Sequence, residues 1–229
     1  MAPTLPRADA LPVQREATPT FRVARAIAGP LFHAVFDIRV EGRAQIPAGP
    51  FVAIANHLNW IDPWTLLLVF PAQPRMHFLA NPANLVGHRV HWAAVRAVGG
   101  YIPVDLKQGA GPELFRHVDR CLRAGGVVGI FPEAAYGPAE GSLQPTFKSG
   151  FAHFAVKNRV PVVPVALSGT KDLWLRKRIR VLIGSPIPPG DDVDSLVAKA
   201  RSELAALLPV YREPEGPKPL RRFLTRLLY

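Results

Sequence analysis

The sequence is poor in cysteine and in long apolar runs, and each shortage excludes a class of protein. The one cysteine, Cys121, has no partner for an internal disulfide, and no cluster of Cys and His has the spacing of a zinc site. The longest apolar run, Trp64 to Ala72, contains Pro71 and is far shorter than the roughly 18 residues of a membrane-spanning helix. We therefore expect neither a disulfide scaffold, nor a bound metal, nor a transmembrane helix.

Acidic residues are also scarce, since 17 Asp and Glu stand against 28 Lys and Arg and give a formal charge of +11. This excess predicts an acidic partner. Hydrophobic residues still make up 48% of the 229 residues, which argues against a disordered chain and against a mainly charge-driven nucleic-acid-binding protein. We expect one domain with a buried core and no nucleic-acid partner.

Short apolar runs alternate with amphipathic segments along the chain. The runs typical of strands are FDIRVEG, FVAIAN, MHFLA, YIPV, VVGIF, VPVVPVAL and RIRVLIG. Helices are predicted over Leu85 to Val98, Glu113 to Ala124, Phe151 to Lys157 and Asp194 to Leu208. The alternation predicts an α/β fold, a single layered domain with a largely parallel mixed sheet flanked by helices.

Three segments are expected along the chain. Residues 1–20 are predicted to be a flexible cytoplasmic terminus, because they lack the apolar core of a signal peptide. Residues 21–208 form the domain, which begins with two short helical pieces separated at Pro30. Residues 209–229 form a proline-rich linker and a basic amphipathic helix, which either packs back on the domain or anchors the protein at a membrane interface.

His57 and Asp62 flank the predicted loop between the strand FVAIAN and a helix that starts at Asp62-Pro63. Open α/β sheets place their sites at the carboxyl ends of strands, so the carboxylate could hold one ring nitrogen while the other faces a substrate hydroxyl. By spacing alone, a helix-capping role for Asp62 is the simpler interpretation.

Four blocks of sequence resemble the glycerolipid acyltransferase family of the 1-acylglycerol-3-phosphate acyltransferase type, and they occur in that family's order. They are Asn56-His57 with Asp62, Gly99 to Asp105, Phe131-Pro132-Glu133 followed by Phe147 to Gly150, and Val160 to Val165.

The resemblance implies transfer of a fatty acyl group from a thioester, acyl-CoA or acyl carrier protein, to a lipid hydroxyl, with no bound cofactor. His57 would be the general base and Asp62 its orienting partner. Backbone N–H groups around Gly100 or Glu133 are candidates for binding the oxyanion of the tetrahedral intermediate. The residues expected to bind substrate are Asn56, Gly100, Glu133, Tyr136 and Lys148. The chain has no Gly-x-Ser-x-Gly elbow, so we expect no covalent enzyme intermediate.

The sequence departs from the family at positions that usually carry a cation. Leu106, Tyr136 and Asn81 stand where an Arg or a Lys is common. Cations at these positions are expected to hold an acceptor phosphate, so the acceptor is hypothesised to be a lysolipid or glycolipid with another headgroup. The alternative is a catalytically silent membrane or lipid-binding protein on the same fold.

The basic excess has two concentrations in the sequence. One is the cluster Lys171 to Arg180 and the other is the C-terminal helix. The cluster is expected to attract an acidic acyl donor, or else to be a solvated or membrane-facing surface. Together they predict a protein peripheral to the inner face of the membrane.

Overall fold

The computed structural model describes residues 15–80, 93, 95, 98–104 and 111–227. Within them lies a seven-stranded sheet with the strand order β1-β7-β6-β2-β5-β3-β4. The strands are β1 (Asp37–Glu41), β2 (Phe51–Ala55), β3 (Met76–Ala80), β4 (Tyr101–Pro103), β5 (Val127–Ile130), β6 (Val162–Ser168) and β7 (Arg178–Ile183). The helices are α1 (Pro19–Val35), α2 (Asp62–Val69), α3 (Pro112–Arg123), α4 (Gly150–Asn158), α5 (Val193–Leu207) and α6 (Arg221–Leu227).

The sheet is mixed and largely parallel, which confirms the predicted fold class. Among the described strands, only β6 and β7 run antiparallel. All five residues of β2 and all seven of β6 are buried. Such continuous apolar runs are typical of central parallel strands, which are covered on both faces.

Helices cover both faces of the sheet and divide the core into two clusters. On one face α1, α2 and α6 contribute Phe21, Leu66 and Leu224. On the other face α3 and α4 contribute residues such as Val118 and Phe151, together with part of α5. The carboxyl ends of β2, β5 and β6 therefore meet at one edge between the two layers of helices.

Helix α1 is continuous, and the prediction of two pieces separated at Pro30 is wrong. Contacts on both sides of the proline hold the helix together. Phe21 is buried before it, and the Phe36 N–H donates to Phe32 O at 2.8 Å after it. Arg25 donates to the carbonyls at the end of α2, including Phe70 O at 2.6 Å. These contacts offset the hydrogen bond that the proline removes.

The C-terminal segment contacts the domain. Leu224 of α6 is buried in the core, whereas Leu220 and Phe223 are 55% and 60% exposed. Before α6, the Leu175 N–H donates to Pro219 O at 3.0 Å. Within the described residues, no helix combines the length and the apolar character needed to cross a membrane. Most of the helix predicted over Leu85 to Val98 lies outside the described residues.

Candidate active site

The loop between β2 and α2 brings His57 and Asp62 together, as their spacing suggested. His57 Nδ1 lies 2.9 Å from Asp62 Oδ2. The Asp62 side chain is fully buried, whereas the His57 side chain is 20% exposed. A buried carboxylate thus faces one nitrogen of a ring that solvent can reach, and it selects the tautomer with a proton on Nδ1.

Asp62 organises the loop before α2 instead of capping the helix. It is the first residue of α2, and Ile61 precedes it at the cap position. Its Oδ2 accepts the backbone N–H groups of Leu58 at 2.6 Å and Asn59 at 2.8 Å. The buried Oδ1 has no hydrogen-bond partner among the described residues. One oxygen therefore fixes both the loop and the imidazole.

Two aromatic side chains enclose the His57 ring. Phe131 stacks on it with centroids 4.0 Å apart and planes 16° apart. Tyr136 approaches it edge-on at 4.6 Å and is itself 38% exposed. Among the described residues nothing is bonded to His57 Nε2, so this nitrogen is available to remove a proton from a bound hydroxyl.

Glu133 lies beside the His57 backbone. Its Oε1 accepts the His57 N–H at 2.9 Å, and its Oε2 accepts the Gln144 N–H at 2.6 Å. The residue is only 6% exposed, and burial raises the pKa of its carboxyl group. Glu133 thus joins the loops after β2 and β5, and its predicted contact with the acceptor stays a prediction.

Asn56 holds two strands together, so its predicted contact with substrate needs correction. The residue is fully buried, and both ends of its amide bind the backbone of Leu167 in β6. Nδ2 donates to Leu167 O at 2.9 Å, and Oδ1 accepts the Leu167 N–H at 2.7 Å. With its polar atoms used in this way, Asn56 positions the start of the loop.

The structure does not bring Gly100 to the His57–Asp62 pair, because Gly100 precedes β4 at the amino ends of the strands. Tyr101 pairs with Phe78, so Gly100 lies level with His77. His77 and Val52 both pair with Val128, so Gly100 also lies level with Val52. His57 comes five residues after Val52, which is about 16 Å along the strand. The role predicted for backbone N–H groups around Gly100 or Glu133 in binding the oxyanion stays a prediction.

The structure gives a different reason for a glycine at position 100. Its φ is +73°, and a Cβ there would lie 2.7 Å from Arg75 Nη2. The guanidinium of Arg75 is fully buried and donates to the carbonyls of Val98 and Gly99. Only a residue without a side chain fits beside it in this conformation.

The Lys148 side chain makes no hydrogen bond to His57 or Asp62 among the described residues. Lys148 is exposed, and its backbone N–H donates to Pro132 O at 2.8 Å. The predicted role of its side chain stays a prediction. Asn81, Leu106 and the neighbouring Lys107 lie outside the described residues.

The basic cluster that the sequence indicated is mostly bound to the protein itself. Lys171 Nζ donates to Gly137 O at 2.7 Å, and Lys177 is 2% exposed. Arg178 and Arg180 form ion pairs with acidic residues of β1 at 2.9 and 2.8 Å. Arg176 donates to His33 O at 3.2 Å. The cationic surface that this cluster leaves free is therefore smaller than its number of Lys and Arg residues implies.

Sequence reasoning missed several residues that shape this site. Phe131 begins one of the four blocks, but nothing in the sequence pattern indicates that its ring stacks on His57. Glu140 and Lys171 join the loops after β5 and β6, and they are 31 positions apart. Within the described residues, no group of three or more His, Cys, Asp or Glu is arranged to hold a metal ion.

Comparison with known proteins identifies the family. A model of the Acyltransferase family matches residues 37–168. The chain is 30% identical over 200 residues to 1-acyl-sn-glycerol-3-phosphate acyltransferase alpha of Homo sapiens, covering 78% of this chain and 66% of that protein. It is 26% identical over 159 residues to 1-acyl-sn-glycerol-3-phosphate acyltransferase of Bacillus subtilis, covering 67% of this chain and 75% of that protein.

Solved structures agree with the sequence comparisons. The crystal structure of the 1-acyl-sn-glycerophosphate acyltransferase PlsC from Thermotoga maritima superposes with a TM-score of 0.59 at 25% identity. The similarity covers 85% of this chain and 81% of that one. The chain spans 65% of the length of the sheep and cattle relatives that it matches. With the family model covering more than half of its residues, the chain belongs to the acyltransferase family.

Proposed function

We propose that this protein transfers a fatty acyl group from a thioester, acyl-CoA or acyl carrier protein, to a hydroxyl of a glycerolipid or related lysolipid. The observation that carries the proposal is the 2.9 Å contact between His57 Nδ1 and the fully buried Asp62. It leaves Nε2 of a partly exposed imidazole as the base. The names of the relatives support the same reaction class.

The reaction follows from this geometry. His57 Nε2 removes the proton of the acceptor hydroxyl while the oxygen attacks the thioester carbonyl carbon. Asp62 stabilises the imidazolium that forms. When the tetrahedral intermediate collapses, the C–S bond breaks and the imidazolium returns its proton to the departing thiolate. The products are an ester and a free thiol, and no bond to the enzyme is required.

The acceptor is a lysolipid or a glycolipid, and the residues beside His57 bear on its headgroup. Relatives are named for 1-acyl-sn-glycerol-3-phosphate, which makes that lipid the first acceptor to test. Tyr136, which stands where the family usually has an arginine, lies edge-on to His57. A tyrosine has no positive charge to pair with a phosphate and cannot bind it in the bidentate way of an arginine, which supports acceptors with other headgroups.

His57→Ala tests the catalytic proposal. Purified variants are assayed with acyl-CoA and acyl carrier protein as donors and a panel of lysolipids, with the acylated lipid measured by mass spectrometry. We expect His57→Ala to lose acyl transfer with its circular dichroism unchanged, and the exposed control His153→Ala to keep full activity. Full activity in His57→Ala contradicts the proposal. Lipid binding without turnover by the wild type supports the silent alternative instead.

The same proposal places the protein at the inner face of the membrane, as a peripheral protein. Three apolar residues one helical turn apart on α1 are exposed, Val23 by 59%, Ile27 by 67% and Leu31 by 63%. Leu220, just before α6, and Phe223, in its first turn, are also exposed. Exposed Arg22, Arg222 and Arg226 accompany these residues, as anionic headgroups require.

Vesicle binding tests the membrane proposal. Ile27→Glu should weaken binding to anionic vesicles about 10- to 100-fold, because a buried isoleucine contributes roughly 1.5–3 kcal/mol. The matched control is Val210→Glu, since Val210 is 87% exposed but lies in the segment before α6. Equal binding by wild type and Ile27→Glu, or an equal loss in both variants, contradicts a docking role for α1.

A further inference from the structure

A ring of hydrogen bonds begins and ends in the loop that carries His57. The Gly137 N–H donates to His57 O at 2.6 Å. The Gly137 carbonyl accepts Lys171 Nζ at 2.7 Å, and the Lys171 carbonyl accepts Asn59 Nδ2 at 3.2 Å. Three loops, which follow β2, β5 and β6, are therefore joined at the edge of the sheet where the catalytic pair lies.

Glu140 determines where Lys171 sits in this ring. Its Oε2 accepts the Gly169 N–H at 2.8 Å, and its Oε1 accepts the Lys171 N–H at 2.9 Å. Both carboxylate oxygens thus hold the backbone of the loop after β6. Hydrogen bonds from backbone N–H groups to a carboxylate are about twice as strong as those to neutral acceptors.

The loop after β6 also has little freedom at its start. Gly169 has a φ of +92°, and a Cβ there would lie 2.2 Å from Arg178 O. The backbone of this loop is therefore packed against β7 on one side and bound by Glu140 on the other. These contacts hold the backbone of Lys171 in place, so that Lys171 can bind Gly137 and Asn59.

We infer that Glu140 is a positioning residue for acyl transfer, which holds Lys171 so that the ring of hydrogen bonds fixes His57 against Phe131. The inference rests on the proposed function of His57. Glu140 binds backbone N–H groups of the loop after β6 and acts on His57 only through Lys171 and Gly137. Its loss should therefore lower turnover more than it weakens substrate binding.

The test compares Glu140→Gln with the wild type in steady-state kinetics and in NMR spectra of the His57 ring. Glutamine keeps the size of the side chain but turns an NH₂ group toward one of the two backbone N–H groups. We expect kcat to fall on the order of 10- to 100-fold, since small displacements of a catalytic group have effects of this size. KM should change less than kcat, and the His57 ring signals should shift or broaden without substrate.

Two further variants sharpen the test. Glu203→Gln is the matched control, because Glu203 is exposed on α5, and it should leave kcat and the ring signals unchanged. Lys171→Met removes the bond to Gly137 but keeps the backbone N–H that Glu140 binds. If both residues act through one ring, Glu140→Gln combined with Lys171→Met lowers kcat little more than either change alone.

Three outcomes would overturn the inference. The first is a Glu140→Gln variant with wild-type kcat and ring signals, even if its melting temperature falls. The second is a parallel loss of kcat and melting temperature with the His57 signals unchanged. The third is fully additive losses in the double variant. An inactive wild type contradicts the proposed function instead, and the NMR comparison, which needs no substrate, still decides whether Glu140 positions His57.

Discussion

The ring of Phe131 lies parallel to the imidazole of His57, with centroids 4.0 Å apart. Phe78 of β3 continues the stack on Phe131 at 5.7 Å and 14°. The His57 imidazole is thus the outermost of three stacked rings that rise from neighbouring strands. Its plane is set by the sheet, and its rotation within that plane is set by Asp62.

Replacing Phe131 with leucine should loosen the imidazole. Leucine keeps apolar volume at the end of β5 but cannot stack, so we expect kcat to fall severalfold with a smaller change in KM. The loss of stability should be on the order of 1 kcal/mol, as for other changes of similar size in a core. The matched control is Phe223→Leu, because Phe223 is 60% exposed. Unchanged kcat in Phe131→Leu contradicts the role given to the stack.

Asp62→Asn should abolish most activity while the protein stays folded. The amide oxygen can still accept the Leu58 and Asn59 N–H groups, but the charge that stabilises the imidazolium is lost. By analogy with catalytic triads we expect kcat to fall on the order of 10³-fold or more. Asp191→Asn, at an exposed position, serves as the control. A loss below tenfold would show that Asp62 only shapes the loop.

Ala134→Gly should stabilise the protein. Ala134 has a φ of +55°, which lies in the left-handed region that a side chain disfavours. Glycine relieves strain on the order of 1 kcal/mol, which chemical denaturation can measure. Ala135→Gly is the neighbouring control, and it should be neutral or destabilising, because no positive φ is recorded for Ala135. Equal changes in the stability of the two variants contradict the proposal that Ala134 is strained.

Acid should destabilise the protein partly through His77. This residue is 1% exposed, and burial, with the nearby Arg75, lowers its pKa from 6.5 to about 4. The unfolded chain therefore binds a proton between pH 6.5 and 4 that the folded chain does not bind. Above pH 6.5, His77 is neutral in both states and does not lower the free energy of unfolding. As the pH drops from 6.5 to 4, the free energy of unfolding should fall by on the order of 3 kcal/mol.

His77→Asn isolates this contribution, since asparagine can still donate to Arg75 O, which lies 3.1 Å from His77 Nδ1. The quantity to measure is the difference in unfolding free energy between wild type and variant at each pH. It should change steadily between pH 6.5 and 4 and stay constant above pH 7. A difference that does not vary with pH means that His77 titrates alike in both states.

The strands and the proximity of His57 to Asp62 could be predicted because their signals are local. The apolar run of β2 and the Asp62-Pro63 helix start lie within a dozen residues, and together they define the loop of His57. Asn56 shows the limit of such signals. Its partner, Leu167, is 111 positions away, and nothing near Asn56 distinguishes an amide that binds a strand from one that binds a substrate.

Gly100 and Pro30 show two other limits. The order of the blocks along the chain made Gly100 a candidate for the same site as His57 and Asp62. This order does not tell whether a residue lies at the amino or the carboxyl ends of the strands. Register decides that, and register is a property of strand pairing. Pro30 predicted a break from local geometry alone, whereas tertiary contacts from Arg25 and Phe21 maintain α1 through it.

The burial of Cys121 has a practical consequence for assaying the proposed acyl transfer. The chain contains one thiol, which is fully buried, and burial raises its pKa to about 12. The folded protein therefore presents almost no reactive thiolate to a colorimetric reagent. Thiol released from the acyl donor can be followed continuously against a negligible background. Colour from the protein itself rises from almost none to one equivalent as the chain unfolds. Its amount therefore reports the fraction of protein that has unfolded during the assay.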